Sequence, residues 1–308
     1  MAANGSRQCR GPAWVRAGQG VHIPAGLTGS AAYDAELAAW AHLLPASGVF
    51  TGLTAARLHG LWLPSLPPGL PHFVAMGTVP GEVRPMRPQL HVVRHPTPPS
   101  RDPRRDLPLA TVAETLLETA RFLPLLDLVA LVDSALQLRR TTLAELAAVA
   151  GRRRRGAPAL RRALGYADAR SESAWETLLR MLHVVCGIEV EPQVEFFDEF
   201  GRFVARADLH VTGTRLVQEY DGAEHRTRER QAHDLRRERG LADIGVTRRG
   251  YVAREVLDQS HLILGAADRA LGRESLTSAS PWLRLVAESC YRPAGRRALA
   301  ATVGQGPA

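Results

Sequence analysis

The stretch ARADLHVTGTRLVQEYDGAEHR, residues 205–226, decides the fold of the C-terminal part of the chain. It contains two short β-like runs on either side of a turn, and Gly213-Thr214 with glycine first is typical of a two-residue type II′ hairpin. That turn would place Asp208 directly opposite Glu219. Asp221 lies two residues beyond Glu219, so its side chain points to the same face.

These opposed carboxylates predict a metal site. Two carboxylates that face each other across neighbouring strands destabilise a sheet, and a divalent cation between them removes the repulsion. Magnesium takes oxygen ligands and usually keeps waters and substrate phosphates in its shell. The pattern therefore predicts metal-assisted phosphodiester chemistry, with Asp208 and Glu219 as ligands of Mg²⁺ or Mn²⁺. The alternative is a solvated acidic face beside an ordinary Asp-Gly turn.

The composition favours an anionic partner. The chain has 308 residues, enough for two domains, and a formal net charge of +8. This charge makes DNA the first candidate for a partner. All 39 basic residues are arginine. No lysine is therefore present to act in catalysis, and arginine stabilises charge but does not serve as a base.

The cysteine pattern and the hydropathy indicate a reduced, cytoplasmic protein. Cys9, Cys186 and Cys290 are odd in number and far apart, so they support neither a disulfide framework nor a structural zinc site. The first residues lack the apolar core of a signal peptide. No run of 18 apolar residues occurs, so we expect no membrane span.

Composition and periodicity divide the chain into five segments. We predict a flexible N-terminus at 1–20, a helix-rich α+β region at 21–150, an arginine-rich linker at 151–164, a second domain at 165–272 and a weakly ordered tail at 273–308. The linker is interpreted as a solvated basic segment. The alternative is a segment that contacts phosphates, because clustered arginines release counterions on binding nucleic acid.

The second domain reads as helix, three antiparallel strands, helix, strand and helix. Ser173-x-x-Glu176 is a capping-box pattern at the start of its first helix. The predicted strands cover residues 189–197, 203–211, 216–221 and 246–251, and the later helices cover residues 228–241 and 254–271.

Six blocks of this domain resemble the very-short-patch-repair-like (Vsr-like) branch of the PD-(D/E)XK nuclease superfamily. They are Ser173-Ala174-Trp175-Glu176, Arg206-Ala207-Asp208-Leu209, Glu219-Tyr220-Asp221-Gly222, His225-Arg226, Asp234-Leu235-Arg236-Arg237 and Arg249-Gly250-Tyr251. The resemblance covers about a third of the chain, residues 165–272. It implies an α/β, restriction-endonuclease-like fold, in which helices flank a mixed sheet and an acidic metal site lies on the hairpin.

The resemblance also implies roles for individual residues. Asp208 and Glu219 match the two metal-binding carboxylates, and Glu176 matches the first-helix glutamate that supports the site. Asp221 stands where the superfamily usually has lysine, which is a departure from the pattern. His225 would take over proton transfer, or alternatively serves as a hydrogen-bonded or phosphate-contacting turn histidine.

Three arginines are predicted to contact nucleic acid: Arg226, Arg237 and Arg249. Arg237 lies three residues after Asp234 on one helix face, so a salt bridge between them is an equal alternative. Arg249 is interpreted as a structural or phosphate-binding residue.

The N-terminal region resembles, more weakly, the AbiEi antitoxin family. Residues 49–60 and 111–138 carry the resemblance. In that family a winged helix-turn-helix usually precedes this region, whereas only about 25 residues precede it here, too few for a complete winged helix. The resemblance leaves room for a protein partner of the N-terminal region.

Two functions follow as hypotheses. The first is a magnesium-dependent DNA endonuclease. The second is a non-catalytic DNA-binding or regulatory protein of type IV toxin–antitoxin character, with a degenerate nuclease domain.

Overall fold

The computed structural model describes residues 11–222, 228–274 and 276–304, without the side chains of 228–235. The protein is a mixed α+β structure. Its first half contains β1 (Trp14–Gly18), β2 (Val21–Pro24), α1 (Gly29–Ala41), β3 (Val49–Phe50), α2 (Gly52–Leu58), β4 (His72–Gly77), β5 (Leu90–His95), α3 (Val112–Thr119), α4 (Leu125–Gln137), α5 (Leu143–Ala150) and α6 (Ala157–Leu164). The second half contains α7 (Ala174–Val185), β6 (Val190–Phe197), β7 (Phe203–Val211), β8 (Leu216–Tyr220), α8 (Arg228–Asp243), β9 (Thr247–Tyr251), α9 (Ala253–Asp258), α10 (Ser260–Ala270), α11 (Ser280–Glu288) and α12 (Pro293–Gly304).

Local capping sets several helix ends. Thr142 and Glu145 form a complete capping box at α5, in which each side chain bonds the backbone N–H of the other residue. At α7 the Ser173 hydroxyl accepts from the N–H of Glu176, but the Glu176 carboxylate accepts from the N–H of Glu172 instead of closing the box. The capping box predicted there is therefore half formed, and it begins the helix at the predicted place.

The strands form three sheets. β1 and β2 make a hairpin, and β3, β4 and β5 make a second sheet in which only β4 and β5 are parallel. The third sheet has the order β6-β7-β8-β9, with antiparallel pairs except for the parallel pair β8 and β9. α8 connects these two parallel strands and packs on one face of the sheet, while α7 and α10 cover the other face.

One hydrophobic core joins the two predicted domains. Its buried residues run from α2 through the helices α3 to α7 and on to α12. α4 lies at its centre and is almost entirely buried. Asp133 of α4 accepts a 2.8 Å hydrogen bond from Arg180 of α7, and both side chains are buried. Burial raises the pKa of Asp133 to about 6 in spite of this arginine.

The linker predicted at 151–164 is wrong for residues 157–164, which belong to the packed core, whereas residues 151–156 form a mostly exposed turn. Residues 157–164 form α6, and Leu160 is fully buried. Two arginines of the basic run bond buried carboxylates of α3, Arg154 as a partly buried residue and Arg152 as an exposed one. Arg152 and Arg154 form ion pairs with Glu114, and Arg154 forms another with Glu118. Burial of these two glutamates requires a positive partner, which the arginine run supplies.

The weakly ordered tail predicted at 273–308 is also wrong over its described part. α11 and α12 pack against the core through Trp282, whose indole N–H donates to the carbonyl of Val256 at 2.9 Å. Asp127 of α4 accepts from the N–H of Cys290 between the two helices at 3.1 Å. At the other end, residues 14–18 form β1 although the sequence favoured a loose segment up to residue 20.

The remaining elements follow the predicted pattern closely. The four strands and first two helices of the second half lie within a few residues of the expected limits, while the last predicted helix breaks at Gln259 into α9 and α10. Within the described ranges, no helix has the length and apolar character needed to cross a membrane.

Candidate functional site

The β7–β8 hairpin has the predicted register with a different turn. Leu209 pairs with Gln218 and His210 with Val217, as the sequence indicated. The turn hydrogen bond, however, joins the N–H of Thr214 to the carbonyl of Val211 at 3.2 Å. Its central residues are therefore Thr212-Gly213, and Gly213 has a φ of 77°, which favours glycine.

The strand pairing stops one residue before the two predicted metal ligands. There the Asp208 carboxylate accepts a 3.1 Å hydrogen bond from the backbone N–H of Tyr220 on β8. Burial raises the pKa of Asp208 to about 7, and the negative charges of Glu176 and Glu219 add to this effect. The hairpin thus holds a carboxylate whose ionised form is destabilised by its surroundings.

Glu219 is buried, with 2% of its surface exposed, and two arginines hold its carboxylate. Arg237 of α8 bonds both oxygens, with a 2.9 Å contact to Oε2. The Arg248 side chain on β9 bonds Oε2 as well and also donates to Asp221 at 2.7 Å. Guanidinium groups therefore offset the repulsion between carboxylates that the sequence analysis assigned to a metal ion.

Arg248 is the site residue that the sequence analysis missed, and Arg249 is the neighbour chosen in its place. β9 pairs in parallel with β8 so that Arg248 lies beside Val217, and side chains alternate along a strand. Arg248 therefore faces Glu219 and Asp221, while Arg249 points to the α10 face. Residues two apart on a strand share a face, so Arg249 lies on the same face as Tyr251, which is buried against the core on the α10 side. This alternation could have assigned Arg248 and Arg249 to opposite faces of the sheet.

Gly250 explains how Asp221 fits at this site. It is paired with Glu219 across the sheet, and the Asp221 carboxylate occupies the space that a Cβ at position 250 would need. The glycine of the Arg249-Gly250-Tyr251 block is thus required by the close approach of a side chain.

Glu176 lies in the first turn of α7, near Asp208. Its carboxylate accepts 2.8 Å hydrogen bonds from the N–H of Glu172 and from the side-chain amide of Gln193. Burial raises its pKa above the ordinary value. Gln193 has a φ of 55°, which is uncommon outside glycine, and this local backbone turns its amide toward Glu176.

Two of the predicted site residues, His225 and Arg226, lie outside the described residues, as does the side chain of Asp234. Among the predicted residues that are described, Glu176, Asp208, Glu219, Asp221 and Arg237 come together at this site, and Arg249 does not.

Asp208 and Glu219 are the carboxylates of this site that could hold a metal ion. Among the described residues, no group of three or more histidine, cysteine, aspartate or glutamate side chains is arranged to hold a metal ion. Magnesium usually takes only one or two carboxylates together with waters and phosphates, and Asp208 and Glu219 provide that pair. A cation would also offset the effect that raises the pKa of Asp208. It would have to compete with Arg237 and Arg248 for the oxygens of Glu219.

Comparisons of the chain with family models, with curated proteins and with solved structures gave no match.

Proposed function

We propose that the C-terminal half hydrolyses phosphodiester bonds of DNA at the Asp208–Glu219 centre, with Mg²⁺ or Mn²⁺ as cofactor. The observation that carries this proposal is the placement of Asp208, with a pKa raised to about 7, beside Glu219 and Glu176. Carboxylates are rarely buried together unless a positive group offsets their charge. Enzyme sites are also where such perturbed pKa values concentrate.

The order of elements supports the same proposal. α7 is followed by three antiparallel strands, the crossover helix α8 and the parallel strand β9. This is the arrangement that the resemblance to the Vsr-like PD-(D/E)XK nucleases implies, so we propose a restriction-endonuclease-like fold for this half. The net charge of +8 is in keeping with DNA as substrate.

Each residue then has a proposed role. Asp208 and Glu219 would hold the cation, which when bound would lower the pKa of a water and neutralise phosphate charge. Glu176 supports Asp208 from α7. Arg237 and Arg248 supply positive charge that stabilises the negative charge of the phosphate in the transition state. His225 remains the proposed carrier of a proton.

The test is cleavage of supercoiled plasmid and of single-stranded DNA with magnesium, with manganese or with EDTA. We expect metal-dependent cleavage that Asp208→Asn and Glu219→Gln abolish. Glu288→Gln removes an exposed carboxylate on α11 and serves as the control that retains activity. Undiminished cleavage by both site variants would refute the assignment.

A second function is favoured by the ion pairs of Glu219. Because Arg237 and Arg248 already offset its charge, the site is stable without a cation, as a non-catalytic DNA-binding or regulatory protein would need. The weak AbiEi-like resemblance of the first half, with a protein partner for that half, belongs to this proposal. DNA that is retarded but intact under every metal condition, with no calorimetric manganese signal sensitive to Asp208→Asn, would favour it over the nuclease.

A further inference from the structure

A cleft of about 590 Å³ opens on the face of the C-terminal sheet that carries α10. It lies between the β7–β8 turn, the start of β9 and the last turn of α10. Three arginines reach it from these three elements: Arg215, Arg249 and Arg269. Elements far apart in sequence therefore place three arginine residues around one concave site.

Among the described residues, no ion pair balances these arginines. Among the residues that the structure describes, neither aspartate nor glutamate lines the cleft, and the ion pairs of the described residues do not include Arg215, Arg249 or Arg269. Arg215 makes only a long 3.4 Å contact to the carbonyl of Ile244. Arginines that line one cleft without a counter-charge repel one another, and an anion in the cleft would offset this repulsion.

Small residues keep the cleft open. Ala266 and Ala270 lie one helical turn apart and line its α10 side, and Gly213 lines the turn. None of these residues has a side chain beyond Cβ, so the space between the arginines stays free. Thr214 and Thr247 complete the polar lining.

We propose that this cleft binds a phosphate group. The planar guanidinium group donates two parallel hydrogen bonds to a phosphate, which makes arginine the usual choice for phosphate recognition. The cleft lies on the opposite face of β9 from Arg248, so it is separate from the Asp208–Glu219 centre. It gives Arg249 a binding role that the acidic site does not, and it stands whether or not that centre cleaves DNA.

The first experiment measures the melting temperature of the protein as inorganic phosphate replaces chloride at constant ionic strength. A ligand that binds the folded state raises the melting temperature. We expect phosphate to raise it for the wild type and for Arg284→Gln, which removes an exposed arginine on α11. We expect the rise to be lost in Arg249→Gln and in Arg269→Gln.

A second experiment identifies the source of the phosphate. Fluorescence anisotropy of labelled single-stranded and duplex oligonucleotides would be measured over a range of salt concentrations with the same four proteins. Weaker DNA binding and a smaller salt dependence in the cleft variants, but not in Arg284→Gln, would assign the site to a nucleic-acid backbone. Unchanged DNA binding together with a lost phosphate effect would assign it to a small phosphorylated molecule.

Two results would overturn the proposal. One is a phosphate-induced rise of equal size in all four proteins, which would indicate general salt stabilisation. The other is no rise in the wild type. Because the three substituted arginines are exposed, circular dichroism is expected to show an unchanged fold, and this measurement confirms that a lost rise reflects lost binding.

Discussion

At the scale of single residues, the alternation of side chains along one strand separates two functions. Arg248 and Arg249 are adjacent in sequence, yet the first bonds Glu219 and Asp221 while the second lines the phosphate cleft proposed above. Gly250 then leaves room for the Asp221 carboxylate. Three consecutive residues of β9 thus have three roles: Arg248 forms ion pairs, Arg249 lines the cleft, and Gly250 allows close packing.

Gly250→Ala tests this packing. The added methyl group would overlap the Asp221 carboxylate and force it away from Arg248. We expect a loss of about 1–3 kcal/mol in the free energy of unfolding, as overpacked sites show, measured by urea denaturation. Gly265→Ala in α10 is the control, because its methyl group would meet Arg269 at an ordinary 3.5 Å. Equal stability of wild type and Gly250→Ala would contradict the packing described here.

The raised pKa of Asp208 predicts a pH dependence of stability. The folded protein holds this proton more tightly than the unfolded chain, whose pKa is near 3.8. The stabilising contribution is therefore complete below that pKa and is lost as the pH rises through about 7. Between pH 5 and 8 the free energy of unfolding should fall.

Asp208→Asn should reduce that fall by about 2–3 kcal/mol, because about two pH units separate pH 5 from the folded pKa and each unit corresponds to about 1.4 kcal/mol. Urea denaturation at the two pH values measures it. Part of the fall would remain, since burial also raises the pKa of Asp127 to about 7 and of Asp133 to about 6. A variant with the same pH slope as the wild type would show that Asp208 ionises normally.

At the scale of elements, the arginine run before α6 stabilises α3 through ion pairs with two of its glutamates. Glu114 and Glu118 face inward from α3 and are buried. Burial raises the pKa of Glu118, but contacts with His95 and Arg121 outweigh this effect and lower it to about 2. Arg154 bonds both glutamates, whereas Arg153 is exposed. One run of arginines therefore contains both buried partners and surface charges.

This difference makes Arg154→Ala and Arg153→Ala a matched pair. Arg154→Ala removes one of the two arginines that bond Glu114, while Glu118 keeps its contacts with Arg121 and His95. It should therefore cost about 1.5–3 kcal/mol of unfolding free energy, as the loss of hydrogen bonds to charged groups does. Arg153→Ala should change it by less than about 0.5 kcal/mol, as expected of a surface position. Urea denaturation measures the free energy of unfolding of both variants. Similar losses for the two would argue against a stabilising role of the Arg154 ion pairs.

At the scale of the whole molecule, a shared core makes the two halves depend on each other. α4 of the first half packs on α6, α7 and α11, and Asp133 pairs with Arg180 inside this core. A C-terminal fragment would leave the buried Arg180 without its carboxylate and would expose the apolar face of α7. Residues 157–164 of the linker predicted between the halves belong to this core as α6.

We therefore expect the full chain to unfold in one cooperative transition. Urea denaturation followed by circular dichroism and by tryptophan fluorescence should give coincident curves. A fragment of residues 165–304 should lack a cooperative transition. Two separated transitions in the full chain, or a stably folded fragment, would show that the halves are independent domains.

The helices and strands of residues 165–272 and the register of the central hairpin could be predicted from the sequence, because both depend on local patterns. Alternating residues on either side of a glycine turn placed Leu209 opposite Gln218, and an apolar period with a capping serine began α7 at Ser173. Asp208 and Glu219 were identified from the same hairpin, whereas the site role of Glu176 was implied by the resemblance to the Vsr-like nucleases.

Only the tertiary structure decided which charges meet. Arg237 and Arg248 reach Glu219 from a crossover helix and from a parallel strand, and no local pattern records such a distant pairing. The inward turn of Arg154 and the packing of Trp282 depend likewise on partners far away in the chain. Sequence periodicity predicts which face of an element is apolar. Which element packs on that face, and which residue pairs with a buried charge, is decided only when the whole chain has packed.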